Sequence, residues 1–125
     1  MKILVAEDDP SILDIIELVL TTQGHELVKA KDGADCIGKF NGEDAGKPSA
    51  KPTFDLVIVD WSMPQLSGLD VIKEILEHNP YQKIILTTAY SKDDLSRVGD
   101  FSDKIKVIHK PFDVDALIEV VSSFK

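Results

Sequence analysis

Little in this sequence could cross-link the chain or carry it into a membrane. Its one cysteine, Cys36, excludes an internal disulfide framework and makes a cytoplasmic setting the expected one. No apolar run approaches the ~18 residues of a membrane-spanning helix. The apolar stretch after Met1 stops at Glu7, Asp8 and Asp9, too short for a signal peptide. Basic charge is scarce: 14 Lys and Arg stand against 22 Asp and Glu in 125 residues, a formal net charge of −8. Nucleic-acid phosphates and anionic lipids repel such a chain, so neither is an expected partner of it alone. Three histidines, His25, His78 and His109, have no metal-ligand spacing, and each reads as a surface or strand-edge residue. There are no internal repeats at solenoid periods. What is present is 43% hydrophobic residues, enough for one proper core in a single domain.

That apolar content alternates between short β-rich runs and helix-period segments. Ile3-Leu4-Val5 ends abruptly at Glu7-Asp8-Asp9, where Asp9 can cap a helix and Pro10 suits its first turn. Ile12, Ile16 and Val19 then follow helical spacing up to Gly24. His25 to Ala30 alternates weakly as a second strand, and Asp32-Gly33 opens a short second helix marked by Ile37 and Phe40. Asn41 to Thr53 holds two Gly, two Pro and no large apolar side chain, and reads as a surface loop. Leu56-Val57-Ile58-Val59 is the most apolar strand and ends at Asp60; Leu69, Ile72, Ile75 and Leu76 give the next helix. Ile84-Ile85-Leu86 ends in Thr87-Thr88, and Ser91 and Asp94 have capping-box spacing for a fourth helix. Ile105, Val107 and Ile108 lead to Lys110-Pro111, and Asp113 can cap a last helix in which Val114, Leu117, Ile118 and Val121 form the core face. Continuous apolar strands alternating with helices predict a parallel sheet covered on both faces, a doubly wound α/β domain.

In such sheets, ligands bind at the carboxyl ends of the strands. Those ends carry Glu7-Asp8-Asp9, Asp60, Thr88 and Lys110. Two like charges ~4 Å apart repel by about 4 kcal/mol at an effective dielectric near 20, so converging carboxylates require a cation. Hard oxygen ligands suit Mg²⁺, which also binds phosphate oxygens. A carboxylate can be the nucleophile of phosphoryl transfer, and Asp60, alone on a central strand, is the best candidate. Lys110 can pair with a phosphoryl oxygen and Thr88 can donate a hydrogen bond to another. Asp9 reads as a helix cap, Cys36 as a packing residue, and Trp61 as a fluorescence reporter beside Asp60.

With these motifs in order, the chain resembles the receiver domain of two-component response regulators, of the single-domain, chemotaxis- or sporulation-regulator type. The acids after the first strand, Asp60 to Pro64 as D-x-x-M-P, Thr88-Ala89, and Lys110-Pro111-Phe112 carry the resemblance, which covers nearly all of residues 1–125. It implies a flavodoxin-like (βα)5 three-layer sandwich with a parallel five-stranded sheet of order 2-1-3-4-5. It also implies that Asp60 accepts a phosphoryl group from a phosphohistidine on a sensor histidine kinase or phosphotransfer protein. Asp8 would ligate Mg²⁺ directly and Glu7 through a metal-bound water, with Asp60 and the carbonyl of Ser62 completing the protein ligands. Mn²⁺ is the expected substitute ion. Thr88 and Lys110 would contact the phosphoryl oxygens, and the peptide before Pro111 would be cis. Downstream proteins would meet the face built from the fourth helix, fifth strand and last helix, and a dimer formed on phosphorylation is compatible with the pattern. Such a domain is a signalling module that catalyses its own phosphorylation and dephosphorylation, not an enzyme with an external substrate.

Three features depart from the pattern. Glu7 stands where Asp is commoner, Val107 occupies the usual aromatic switch position three before the Lys, and the Asn41–Thr53 loop is long. Tyr90, two after Thr88, is placed to gate water at an acyl phosphate. Rival functions fare worse on the same residues. A small-molecule aspartyl-phosphate phosphatase usually wants an acid two after its nucleophile, where Ser62 stands. A flavin carrier wants a Ser/Thr/Gly phosphate loop where Glu7-Asp8-Asp9-Pro10 stands, and a non-phosphorylated receiver-like module would not need the intact set. The chain ends one helix after Lys110, so it is expected to be either a stand-alone regulator or a receiver excised from a larger protein.

Overall fold

Strands made almost wholly of apolar residues must be sealed on both faces, and the fold follows from that need. The computed structural model describes residues 1–41, 54–63, 65–88, 105–110 and 113–124. Five strands, β1 (Lys2–Ala6), β2 (Glu26–Ala30), β3 (Leu56–Asp60), β4 (Ile84–Thr88) and β5 (Ile105–His109), form one sheet. All neighbouring pairs are parallel, and the order is β2-β1-β3-β4-β5, as expected. The described helices are α1 (Pro10–Thr22), α2 (Gly33–Phe40), α3 (Gly68–His78) and α4 (Val114–Ser122), α4 being the last helix expected from the sequence. The helix expected from Ser91 and Asp94 lies outside the described residues, as do Tyr90, Ala89, Pro64, Phe112, Pro111 with its peptide bond, and 42–53 of the long loop.

The period of two along each strand divides the core into two layers. Leu4, Val57, Val59, Ile84 and Leu86 face Cys36 and Phe40 of α2 and Val71, Ile72 and Ile75 of α3. Ile3, Val5, Leu56, Ile58 and Ile85 face Ile16 and Leu20 of α1 and Leu117 and Val121 of α4. The sheet is thus the middle of three layers. Every residue of β3 and β4 is buried, which places Asp60 and Thr88 at the mouth of an apolar wall.

Helix starts follow their caps. The Asp9 carboxylate accepts the N–H of Ser11 and Ile12, Asp32 accepts that of Asp35, and Asp113 that of Ala116. Two sequence expectations need correction. Val114 is 46% exposed, because it sits in the first turn of α4, outside the stripe carried by Leu117 and Val121. His25 is buried, not a surface residue: its Nδ1 lies 3.1 Å from the Met1 amine, a contact 24 residues apart that no local pattern reveals. His78 and His109 are exposed, and His78 pairs with Glu74 across one helical turn. Among the described residues no helix is long and apolar enough to cross a membrane.

Candidate functional site

The chain leaves β1 at Ala6 and must turn into α1 within three residues, Glu7 to Asp9. Glu7 stays in the sheet's shadow, 2% exposed, with its N–H donated to the Ala30 carbonyl of β2. Asp8 is exposed, and Asp9 is spent on capping α1, as its sequence position suggested. Across β3, Asp60 ends its strand 4% exposed. Carboxylate oxygens of Glu7, Asp8 and Asp60 all lie within 4.8 Å of one another. Lys110 follows β5, and its Nζ lies 3.1 Å from Glu7 Oε2 and 3.1 Å from Asp60 Oδ1. Glu7, Asp60 and Lys110 come from sequence positions more than 40 apart, joined only by the strand order.

Register places the remaining predicted residues nearby. Asp60 pairs with Thr87, and Thr88 is the buried last residue of β4, paired with His109. The Thr88 carbonyl accepts the N–H of Lys110, tying the two strand ends together. Ser62 is exposed, and its backbone N–H favours the charged form of the Asp60 carboxylate. Trp61 is half-buried against the α2–α3 layer, with its N–H on the Thr87 carbonyl. Cys36 is fully buried, and burial pushes its thiol up to about 12, so it is a packing residue.

One residue that sequence reasoning passed over shapes this site. Gly68 N–H donates to the Trp61 carbonyl, and a Cβ on Gly68 would sit 2.5 Å from the Asp60 carbonyl oxygen. The start of α3 can therefore dock against Asp60 only because position 68 has no side chain. The available signal was Ser67-x-x-Asp70, a reciprocal capping box that fixes the helix start at Gly68. Between them, Gln65 takes a positive φ of 69°, which completes the tight return of the loop.

Three carboxylates facing one ammonium leave an excess of negative charge, and the acids respond. Burial, then the Asp60 charge, pushes Glu7 up to about 7, against the opposing pull of Lys110 and the Asp9 N–H. Asp60 is also raised, by burial first and further by Asp8, while Lys110 and the Ser62 N–H oppose the shift. Burial works against the Lys110 charge, but its bonds to Glu7 and Asp60 outweigh that and hold its pKa above the usual lysine value. The donor chemistry is that of a hard divalent cation: two buried carboxylates and one exposed, all oxygen, with charge left to neutralise. A nucleophilic carboxylate, a cation and an electronegative group's counter-charge from lysine are the parts phosphoryl transfer needs.

The sequence model of the response regulator receiver domain matches residues 3–122. This chain belongs to that family. The receiver is 28% identical over 123 residues to the chemotaxis protein CheY of Treponema pallidum (strain Nichols), covering 98% of this chain and 81% of that one. It is 29% identical over 119 residues to the transcriptional regulatory protein GlrR of Escherichia coli (strain K12), covering 95% of this chain but only 25% of that protein's length. Among solved structures, response regulator protein TrrA from Thermotoga maritima, in complex with Mg(2+)-BeF, is 33% identical, with a TM-score of 0.82 over 99% of this chain and 98% of that one. The receiver is accordingly a phospho-accepting signalling domain of two-component systems, a class that interacts with histidine kinases and downstream effectors.

Proposed function

We propose that the single domain of residues 1–125 takes a phosphoryl group onto the Asp60 carboxylate from the phosphohistidine of a sensor kinase or phosphotransfer protein. The observation that carries this reading is the position of Asp60: buried, at a strand end, 3.1 Å from Lys110 Nζ and within 4.8 Å of Glu7 and Asp8. An Asp60 oxygen attacks phosphorus, the P–N bond breaks, the P–O bond forms, and the imidazole leaves. Lys110 and the Ser62 N–H oppose the upward shift that burial imposes on Asp60, which favours the charged, nucleophilic carboxylate. Glu7, Asp8, Asp60 and the Ser62 carbonyl would hold Mg²⁺, or Mn²⁺ in its place, which when bound supplies positive charge to the phosphoryl oxygens. Thr88, next to Thr87 at the end of β4, would donate to a phosphoryl oxygen.

Phosphorylation would be reversed in the same site by water, returning the carboxylate and inorganic phosphate. The response would pass to a downstream protein through the face that includes β5 and α4, with dimerisation as one form it can take. At the switch position Val107 is half-buried against the α2–α3 layer, so the readout differs from an aromatic side chain turning inward. Its working place would be the cytoplasm, where kinase and target meet it.

Acetyl phosphate with Mg²⁺ tests this. Intact-mass spectrometry is expected to show one phosphoryl adduct on the wild type and none on Asp60→Asn. No wild-type adduct, or the same adduct on Asp60→Asn, would overturn the assignment.

A further inference from the structure

The segment that joins Asp60 to α3 carries Ser62, and its ends are pinned. The Trp61 N–H donates to the Thr87 carbonyl and the Gly68 N–H to the Trp61 carbonyl, each at 2.8 Å. Between them, Met63 is buried and Leu66 packs half-buried on the α2–α3 layer. The start of α2 meets the segment there. A Cβ on Gly33, the first residue of α2, would stand 2.8 Å from Leu66 Cβ, 2.8 Å from Val71 Cγ2 and 3.3 Å from the Leu66 carbonyl oxygen. Carbon atoms in ordinary contact are about 3.5–4.0 Å apart, so there is no room for a methyl group. Gly33 does not have a positive φ, so closeness and not backbone freedom calls for glycine here.

The start of α2 is itself fixed. Asp32 Oδ1 accepts the Asp35 N–H at 2.8 Å, and Asp35 Oδ2 accepts the Lys31 N–H and Lys39 Nζ at 3.0 Å each. Leu66 Cβ moves only with its backbone, and Val71 is β-branched and stiff in its helix. Met63, unbranched, is the anchor that yields. A methyl group at position 33 would therefore push on the segment that carries Ser62.

We propose that Gly33 is a positioning residue for the phosphorylation site. By letting α2 rest directly on Leu66, it sets where the Ser62 backbone stands beside Asp60 and the metal ion. The inference rests on the reading that the Ser62 carbonyl joins Glu7, Asp8 and Asp60 in holding Mg²⁺.

Mg²⁺ titrations of the full chain, followed by Trp61 emission and by calorimetry, and phosphorylation by acetyl phosphate provide the test. Gly33→Ala should weaken Mg²⁺ binding by on the order of fivefold and slow phosphorylation by on the order of tenfold, because a misplacement of about 1 Å can cost about 10²-fold in rate. Gly24→Ala is the control for lost stability: Gly24 has a φ of 89° and open space where its Cβ would lie. It should lower the melting temperature and leave both readouts unchanged. Gly33→Ala/Val71→Ala opens space on the α3 side and should recover most of the Mg²⁺ affinity without recovering the melting temperature. Affinity that tracks melting temperature across these variants would overturn the positioning role. Should Gly33→Ala fail to fold, Leu66→Gly removes the other side of the contact and should weaken Mg²⁺ binding equally; unchanged affinity there refutes the proposal. Binding lost in Asp8→Asn but unaltered in Gly33→Ala overturns the positioning role alone. Binding that persists in Asp8→Asn, or none in the wild type, overturns the metal site and the positioning role with it.

Discussion

The two ends of the sheet bury polar groups in opposite ways. At the amino end, Gln82 is 3% exposed and neutral, and its Nε2 donates to the Phe54 and Lys83 carbonyls. Nearby, the Asp55 carboxylate accepts the Lys2 N–H in the open. At the carboxyl end, Glu7 and Asp60 are equally buried but ionisable, and they share one ammonium. A neutral amide that satisfies two carbonyls contributes to stability at no electrostatic cost. Two buried carboxylates with one lysine do not, since desolvation exceeds what one cation returns. The amino end holds the fold, and the carboxyl end keeps charge ready for a cation and a phosphoryl group.

Several changes would break or sharpen that contrast. The largest effect is expected from Gly68→Ala, whose Cβ would meet backbone of Asp60 and Trp61 at 2.5 and 2.8 Å. Urea unfolding should show a loss of about 3 kcal/mol, and phosphorylation should slow as Asp60 is displaced. A pH series without metal should come next. Glu7 has a folded pKa near 7 against 4.5 in the ordinary carboxyl, so the folded state binds the extra proton between those values. Stability should therefore fall as pH rises from about 4.5 to 7, by about 2 kcal/mol, and Glu7→Gln should flatten that slope. Gln82→Ala should cost about 1.5 kcal/mol by orphaning the buried Phe54 carbonyl, with phosphorylation unchanged. Smallest is Asp60→Asn, which should raise stability by about 1 kcal/mol near neutral pH while abolishing phosphorylation.

The same contrast explains what could be read from residues alone. Strands β1, β3 and β4 are uninterrupted apolar runs that stop at Glu7, Asp60 and Thr87-Thr88, so both the sheet and its charged edge were legible. Caps at Asp9, Asp32 and Asp113 were legible because their partners lie two to three residues away. Val114 escaped because helical period defines a stripe and leaves its end positions undetermined. His25, Gly68 and the Glu7 bond to Lys110 escaped because their partners are set by topology. Glu7 and Lys110 are 103 residues apart, and no spacing rule connects them. Sequence could assign Lys110 to a phosphoryl oxygen, but only the folded chain shows which carboxylates hold it beforehand.

The most direct test of an end kept charged for function is whether a cation relieves it there and nowhere else. Urea unfolding of the wild type, Gln82→Ala and Asp60→Asn should be measured with and without Mg²⁺ near neutral pH. At ten times its dissociation constant, Mg²⁺ should stabilise the wild type and Gln82→Ala alike by about 1.4 kcal/mol, and Asp60→Asn by much less. An equal gain in all three proteins, or none in the wild type, would contradict the account.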